Sequence, residues 1–262
     1  MTLEQGGAAR PPLPRLHLIV DPALCRERGI APADLAARAV AGGRAVAVHL
    51  RGSATTAAAL WRLATDLRAV IAPPALLIVN DRADIAVAVG ADGVHLGGHG
   101  LPLAAARRVV GPRFLVGRSV HGVAEARAAE REGADYALLG TIYPTASHPG
   151  AAGAGPALVR AVRAAVDLPI IAIGGIDGAT LGEVLDAGAD GAAVLRAIGA
   201  AVDPVRVIAA LYTRAHGDSG ASGATEIQSD RLARRHASGA PGPRGTPPPI
   251  AHWEDVNGED NR

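Results

Sequence analysis

Short apolar runs alternate with longer alanine-rich stretches from Leu16 to about residue 214. Runs such as LLIV and IIAI are apolar at consecutive positions, which is typical of strands buried on both faces of a parallel sheet. The stretches between them have the spacing of amphipathic helices. We count eight such rounds and predict an α/β fold, a single (βα)8 TIM barrel. The predicted strands are Leu16–Asp21, Ala45–Leu50, Ala75–Val79, Asp92–His95, Phe114–Arg118, Tyr136–Leu139, Pro169–Ile173 and Gly191–Leu195.

A Gly-Ala-Asp repeat marks three of the helix-to-strand junctions, in "AVAVGADGVHL", "AEREGADYALL" and "VLDAGADGAAVL". Gly90, Gly133 and Gly188 fit helix C-caps, because glycine tolerates a positive φ. The aspartate that follows begins a turn into the next strand. We interpret the repeat as a structural device without a catalytic role.

The two ends of the chain differ in composition from the barrel. The first residues are Pro-rich, and the tail is rich in Gly, Ser, Pro and mixed charge. Because so few apolar groups cannot offset the entropy of ordering, we predict disordered extensions over 1–14 and 216–262, with the barrel over 15–215. In the tail, Ile250 and Trp253 offer a small docking motif as the alternative.

The composition of the chain limits the kinds of partner that it is expected to bind. The net charge is +1, from 26 basic and 25 acidic residues without a long run of either sign, so we predict no nucleic-acid binding. No apolar run reaches about 18 residues, which argues against a membrane span. The single cysteine, Cys25, and the lack of a signal-peptide pattern favour a cytoplasmic protein. A small-molecule ligand is therefore expected, and a homodimer stays open.

The basic residues are all arginines, and the sequence contains no lysine. A primary amine is required by Schiff-base aldolases and by pyridoxal-phosphate enzymes, and a guanidinium cannot replace it. Both classes are excluded.

Polar residues are concentrated where the predicted strands end. In a TIM barrel those ends form the face that carries the active site. The residues are Asp21, His49, Arg51, Asn80, Asp81, His95, Arg118, Ser119, His121, Thr141 and Arg196.

An anion site is predicted after the last two strands. In "IAIGGIDGATL" glycines follow the seventh strand and open a helix, and "AAVLRAI" follows the eighth. Amide groups at a helix N-terminus point at an anion and carry partial positive charge. We expect Gly174, Gly175, Leu195 and Arg196 to bind a phosphate.

Histidines are the candidates for proton transfer. His17, His49 and His95 lie within strands and fit a core role equally well, whereas His99 and His148 lie in exposed loops. This leaves His121, just after the fifth strand in "VGRSVHG", as the preferred catalytic residue.

A metal site has a weaker basis. Asn80 and Asp81 offer adjacent hard oxygen atoms, but we find no second acid suitably placed for Mg²⁺. Asp81 fits equally well as the N-cap of the helix that begins "RADIAVAV". We therefore predict neither a metal nor a cofactor.

The assembled motifs resemble the superfamily of thiamine phosphate synthase and the TenI-like thiazole tautomerases, over roughly residues 15–212. The resemblance rests on "VHLRGS", "LIVNDRADIA", "GADGVHLG", "VGRSVH", "GADYALLGTIYPTASHPG", "PIIAIGGI" and "AGADGAAVLRAI". It implies a thiazole phosphate ligand held by the phosphate site, with the other strand-end residues binding substrate: His49, Arg51, Asn80, Asp81, Arg118, Ser119 and Thr141.

Departures from the synthase pattern favour the tautomerase. Synthases in the superfamily carry a glutamine and a lysine around the retained Arg51, where this chain has His49 and Ser53. They also carry a second aspartate after the fourth strand, where this chain reads "GGHG", and a lysine where it has His148.

We therefore expect an isomerase of thiamine biosynthesis that aromatises a carboxylated dihydrothiazole phosphate, with His121 as acid and base. The alternative is a transferase, thiamine phosphate synthase, which joins hydroxymethylpyrimidine diphosphate to thiazole phosphate and would use Mg²⁺ at Asp81. A second alternative is a non-catalytic thiazole phosphate-binding or regulatory protein.

Overall fold

Eight parallel strands close into a barrel in chain order, with β8 hydrogen bonded to β1. The computed structural model describes residues 10–52, 55–98, 100–145, 152–199 and 204–216. The strands are β1 (Leu16–Val20), β2 (Val46–Leu50), β3 (Leu76–Asn80), β4 (Gly93–Leu96), β5 (Leu115–Val120), β6 (Tyr136–Leu139), β7 (Ile170–Ile173) and β8 (Gly191–Val194). The predicted TIM barrel is confirmed, and each strand differs from its predicted bounds by two residues at most.

Helices follow the strands and cover the outside of the barrel. They are α1 (Pro22–Glu27), α2 (Pro32–Val40), α3 (Ala57–Val70), α4 (Ala83–Ala88), α5 (Leu103–Val110), α6 (Val123–Arg131), α7 (Gly155–Arg163), α8 (Leu181–Asp186), α9 (Arg196–Gly199) and α10 (Pro204–His216). Within the described residues, none of them is both long and apolar enough to cross a membrane.

The core has two parts, because successive side chains of a strand point to opposite faces. One set packs between the sheet and the helices, as Val46, Val48 and Leu50 of β2 do. The other fills the inside of the barrel and includes Ile19, Ala47, Ile78, Leu115, Tyr136 and Ile171. Among the described residues, this second set thus fills the barrel below the mouth.

The Gly-Ala-Asp repeat has one geometry at all three junctions. Gly90, Gly133 and Gly188 have positive φ angles of 62°, 85° and 101°. Each following aspartate accepts the backbone N–H of a residue in the preceding strand and pairs with an arginine from the helix before that strand. The sets are Asp92 with Leu77 and Arg68, Asp135 with Val116 and Arg107, and Asp190 with Ile170 and Arg163. The repeat thus links two βα units at the end of the barrel opposite the mouth.

Residues 10–14 pack against this same end. Leu13 and Pro14 are buried, and Arg10 forms an ion pair with Asp135. Part of the predicted disordered segment over 1–14 is therefore ordered, because Leu13 joins the apolar interior. Residues 1–9 and 217–262, with Ile250 and Trp253, lie outside the described residues.

Candidate active site at the barrel mouth

A cavity of about 580 Å³ opens at the C-terminal ends of the strands. It brings together most of the strand-end residues that the sequence analysis selected. Those that line it are Arg51, Asn80, His95, Ser119, His121, Thr141, Gly174, Gly175, Leu195 and Arg196. Side chains and backbone from the ends of β2 through β8 thus meet at one cavity, as expected of a TIM barrel.

The glycine loop after β7 is tightly packed against the loop after β6. Gly174 and Gly175 have φ angles of 103° and 64°, which side chains rarely allow. A Cβ atom on Gly174 would lie 2.7 Å from Cγ2 of Thr141, and one on Gly175 would lie 2.7 Å from the Pro144 carbonyl oxygen. Both positions therefore require glycine, and both glycines line the cavity.

Arg51 brings a cationic group to the mouth from the end of β2. Its Nη2 lies 3.1 Å from Oδ2 of Asp21, and Asp21 also caps α1 by accepting the N–H of Ala23 at 2.9 Å. The aspartate fixes the direction of the guanidinium, since the helix cap holds the carboxylate in place. Asp21 is thus a positioning residue for Arg51, a role that its sequence pattern did not reveal.

Asp81 follows β3 and has a φ of 60°, unusual for a residue other than glycine. Its Oδ1 accepts the backbone N–H of Gly97 at 2.7 Å. A Cβ at Gly100 would lie 2.7 Å from that oxygen, so the carboxylate lies close to the loop after β4. The alternative of Asp81 as N-cap is wrong, because Arg82 occupies the cap position of α4 and no side chain caps it.

Acidic groups near the mouth are mostly engaged with the backbone. Asp177 lines the cavity, and its Oδ1 accepts the N–H groups of Ala179 and Thr180. Among the residues that the structure describes, no three His, Cys, Asp or Glu side chains come together as a metal site. His99, Ser53 and His148 lie outside the described residues.

Three histidines and a tyrosine occupy the barrel interior, and one of them, His95, also lines the cavity. His17, His49 and His95 are almost fully buried, and Tyr136 stacks on His95 with ring centroids 5.7 Å apart. Burial lowers the pKa of His49 to about 4 and lowers the pKa values of His17 and His95 well below their usual range. These rings are therefore neutral near pH 7.

His49 does not line the cavity, although the sequence analysis placed it among the substrate-binding residues. Its side chain points into the barrel and is hydrogen bonded to Asn80, which lines the cavity. The strand alternation decides this, because His49 lies one layer below the strand end.

Arg118 also lies outside the cavity, contrary to the expectation that it binds substrate. Its neighbour Ser119 points inward and lies 2.9 Å from Nε2 of His95. Arg118 points to the other face of β5, and its Nη1 lies 3.4 Å from the Leu101 carbonyl oxygen. Adjacent residues of one strand cannot both face the interior.

His121 lies at the rim of the cavity with a side chain that is 61% exposed. Oε2 of Glu125 accepts its backbone N–H at 2.9 Å and lies 3.0 Å from its Nδ1. Partial burial by itself raises the pKa of Glu125, but the bonds from His121 bring that pKa below its usual value. His121 is thus held at the edge of the site by Glu125 of α6, the helix that follows it in the chain.

The chain is similar in sequence and in structure to proteins that are named for thiamine phosphate synthesis. The chain is 45% identical over 185 residues to thiamine-phosphate synthase of Methanoculleus marisnigri, covering 70% of this chain and 86% of that protein. It is 56% identical over 131 residues to thiamine-phosphate synthase of a Mycobacterium species, covering 50% and 58%. The solved structure of thiamine phosphate pyrophosphorylase from Pyrococcus furiosus is 31% identical with a TM-score of 0.67, covering 77% and 95%.

These relatives correct the expectation of a thiazole tautomerase and of an isomerase. Two of them are named thiamine-phosphate synthase and the third thiamine phosphate pyrophosphorylase, and these names support the transferase alternative instead. The expectation was based on a few exchanged side chains, above all lost lysines. The missing lysines do not leave the mouth without cationic side chains, because both Arg51 and Arg196 line the cavity.

The superfamily resemblance itself is confirmed. The family model described as thiamine monophosphate synthase matches residues 16–198, which contain all eight strands. The chain therefore belongs to the thiamine monophosphate synthase family.

Proposed function

We propose that this protein is a thiamine-phosphate synthase, a transferase that joins hydroxymethylpyrimidine diphosphate to thiazole phosphate and releases diphosphate. The observation that carries the proposal is the identity of 45% to a named synthase over 86% of its length. The mouth of the barrel supports it, because one cavity contains both the glycine loop with Arg196 and the separate cation Arg51. Two anionic substrates need two such places.

The reaction mainly requires that the protein position the two substrates and stabilise the charge of the leaving group. The thiazole ring nitrogen forms a bond to the methylene carbon of the pyrimidine as the bond from that carbon to the diphosphate oxygen breaks. The electron pair leaves with the diphosphate, and no proton has to move. Catalysis of this kind depends on holding the two substrates in line and on stabilising the charge that develops on the leaving group.

The residues of the mouth divide between the two substrates. Gly174 and Gly175 offer backbone N–H groups, and Arg196 a guanidinium, to the phosphate of the thiazole. Arg51 is oriented by Asp21 and binds the diphosphate, whose two charges suit a guanidinium with several donors. Asn80, Ser119 and Thr141 line the space between and bind the rings through their polar groups.

Asp81 does not itself line the cavity, but it follows Asn80, which does, and it would supply one carboxylate to a Mg²⁺ ion bound together with the diphosphate. Magnesium is commonly held by one or two carboxylates together with substrate phosphates, and the Gly97 N–H fixes this carboxylate in place. When bound, the ion supplies positive charge that stabilises the departing diphosphate.

The test is an assay of the purified protein with hydroxymethylpyrimidine diphosphate, thiazole phosphate and Mg²⁺. We expect thiamine phosphate and diphosphate in equal amounts. Arg51→Ala should lower kcat/KM about 10- to 100-fold, since a hydrogen bond to a charged group contributes roughly 1.5–3 kcal/mol. The matched control is Arg62→Ala, at an exposed position of α3, which should leave the rate unchanged.

Thiazole phosphate binding without any product would contradict the proposal and favour a non-catalytic binding protein. A rate in Arg51→Ala equal to that of Arg62→Ala would remove Arg51 from the diphosphate site.

A further inference from the structure

A chain of hydrogen bonds runs through the barrel interior from its closed end to the cavity. Nε2 of His17 lies 3.0 Å from the carbonyl oxygen of Pro14. Nδ1 of His17 lies 2.9 Å from Nε2 of His49, and Nδ1 of His49 lies 3.3 Å from the side-chain amide of Asn80. Both rings are fully buried, and Asn80 lines the cavity.

The direction of this chain is fixed at its closed end. The carbonyl of Pro14 can only accept, so Nε2 of His17 carries the proton and donates it. His17 is neutral, since burial and the neighbouring His49 lower its pKa, and its Nδ1 is therefore an acceptor. It follows that Nε2 of His49 is the donor between the two rings.

The same assignment of donors and acceptors determines the orientation of the Asn80 amide. His49 is also neutral because burial lowers its pKa to about 4, so a proton on Nε2 leaves Nδ1 bare. A bare nitrogen needs a donor, and only the NH₂ end of an amide donates. The structure has Oδ1 of Asn80 facing this nitrogen, which would set two acceptors against each other. A half-turn of the amide exchanges its two ends with little change of shape.

We propose that His17 and His49 are positioning residues that hold the Asn80 amide with Nδ2 on His49 and Oδ1 toward the cavity. The mouth then presents a hydrogen-bond acceptor at Asn80 and selects a ligand group that carries an N–H at that place. The Asn80 amide cannot rotate to bind a ligand that lacks this N–H group. Rotation would turn its oxygen toward the unprotonated Nδ1 of His49 and disrupt the chain of hydrogen bonds that begins at Pro14. This orientation deepens the proposed function, since it concerns the ring-binding part of the same cavity, but it does not depend on turnover.

The first test is independent of activity. In ¹⁵N-labelled protein near pH 7, long-range ¹H–¹⁵N correlation spectra should show His17 and His49 each with a protonated Nε2 and a bare Nδ1. His216 is an internal reference of the opposite kind, since its Nδ1 lies 2.7 Å from the carbonyl oxygen of Tyr212. A scalar coupling between Nδ2 of Asn80 and Nδ1 of His49 completes the pattern. A proton on Nδ1 of His49 overturns the proposal.

Variants of His49 give the second test. Glutamine can donate to His17 and accept from Asn80, so His49→Gln preserves the direction of the chain, whereas His49→Leu removes both bonds. For the proposed reaction, His49→Leu should raise the KM of the substrate that contacts Asn80 about 10-fold, the scale of one lost hydrogen bond, with a smaller change in kcat. His49→Gln should restore it.

Circular dichroism and thermal melting establish that both variants are folded before they are compared. Equal KM values in folded His49→Leu and His49→Gln contradict the positioning role. If neither variant has activity because the protein is not a synthase, the labelled wild-type spectra still decide the proposal.

Discussion

At the scale of single residues, His121 lines the candidate site, yet the proposed synthase reaction gives it no role in proton transfer. It is exposed at the rim and bonded to Glu125, whereas the rings of His49 and His95 are buried. A synthase reaction that forms one carbon–nitrogen bond and releases diphosphate has no proton for it to transfer.

We therefore predict that His121→Ala changes kcat/KM of the synthase reaction by less than about 10-fold, because loss of a general acid or base typically costs about 10²–10⁴. The measurement is the rate of thiamine phosphate formation between pH 6 and 8. His121→Gln is the control for a contact at the rim. If kcat/KM falls more than 100-fold in both variants and its pH profile changes, the prediction is wrong and His121 transfers a proton.

The residue scale is also where prediction from the sequence was weakest. The expected position at the mouth is found for Arg51, Asn80 and Ser119, because the carboxyl ends of parallel strands meet there. It is not found for His49 and Arg118, whose positions depend on which face of the strand each side chain takes. An error of one residue in register moves a side chain from the interior to the outside.

At the scale of elements, the Gly-Ala-Asp junction joins a helix end, a strand start and the strand before it. Asp135 accepts the N–H of Val116 at 2.7 Å and pairs with Arg107 and Arg10, and it is only 4% exposed. The sequence predicted the turn and its glycine. The paired arginines were not predictable from it, since Arg10 lies 125 residues away along the chain.

We predict that Asp135→Asn lowers the free energy of unfolding by about 3–5 kcal/mol, the scale for removing one partner of a buried ion pair. The matched control is Asp84→Asn, because Asp84 pairs with Arg82 but is 64% exposed on its side chain. Exposed pairs contribute about 0–1 kcal/mol. Urea unfolding measures both variants, and equal losses would show that the junction does not stabilise the barrel.

At the scale of the whole molecule, the fold was predictable because its signal is repeated eight times. Each buried parallel strand appears as an apolar run, and each run is followed by a helical stretch, so single errors do not change the count. The arrangement inside the barrel was less predictable. Tyr136 reads as part of an apolar strand, yet a Cβ on Gly117 would overlap its ring, so the two positions are matched across β5 and β6.

The polar interior makes the stability of the whole barrel depend on pH. The pKa of His49 is lowered to about 4 by burial, and burial lowers those of His17 and His95 well below their usual range. The same side chains titrate near 6.5 in the unfolded chain. Between these values the unfolded chain binds more protons, so stability is full above about pH 6.5 and is lost as the pH falls.

We predict that the free energy of unfolding is nearly constant from pH 7 to 8 and falls between pH 6.5 and 5. Each buried histidine contributes a slope of up to about 1.4 kcal/mol per pH unit. Urea unfolding at half-unit steps measures the curve above the range where carboxylates titrate. His49→Gln removes one of the three groups and should flatten the slope by about a third, whereas Arg62→Ala, at an exposed position of α3, should leave it unchanged. A free energy independent of pH down to 5 would show that the buried rings do not become protonated when the barrel unfolds.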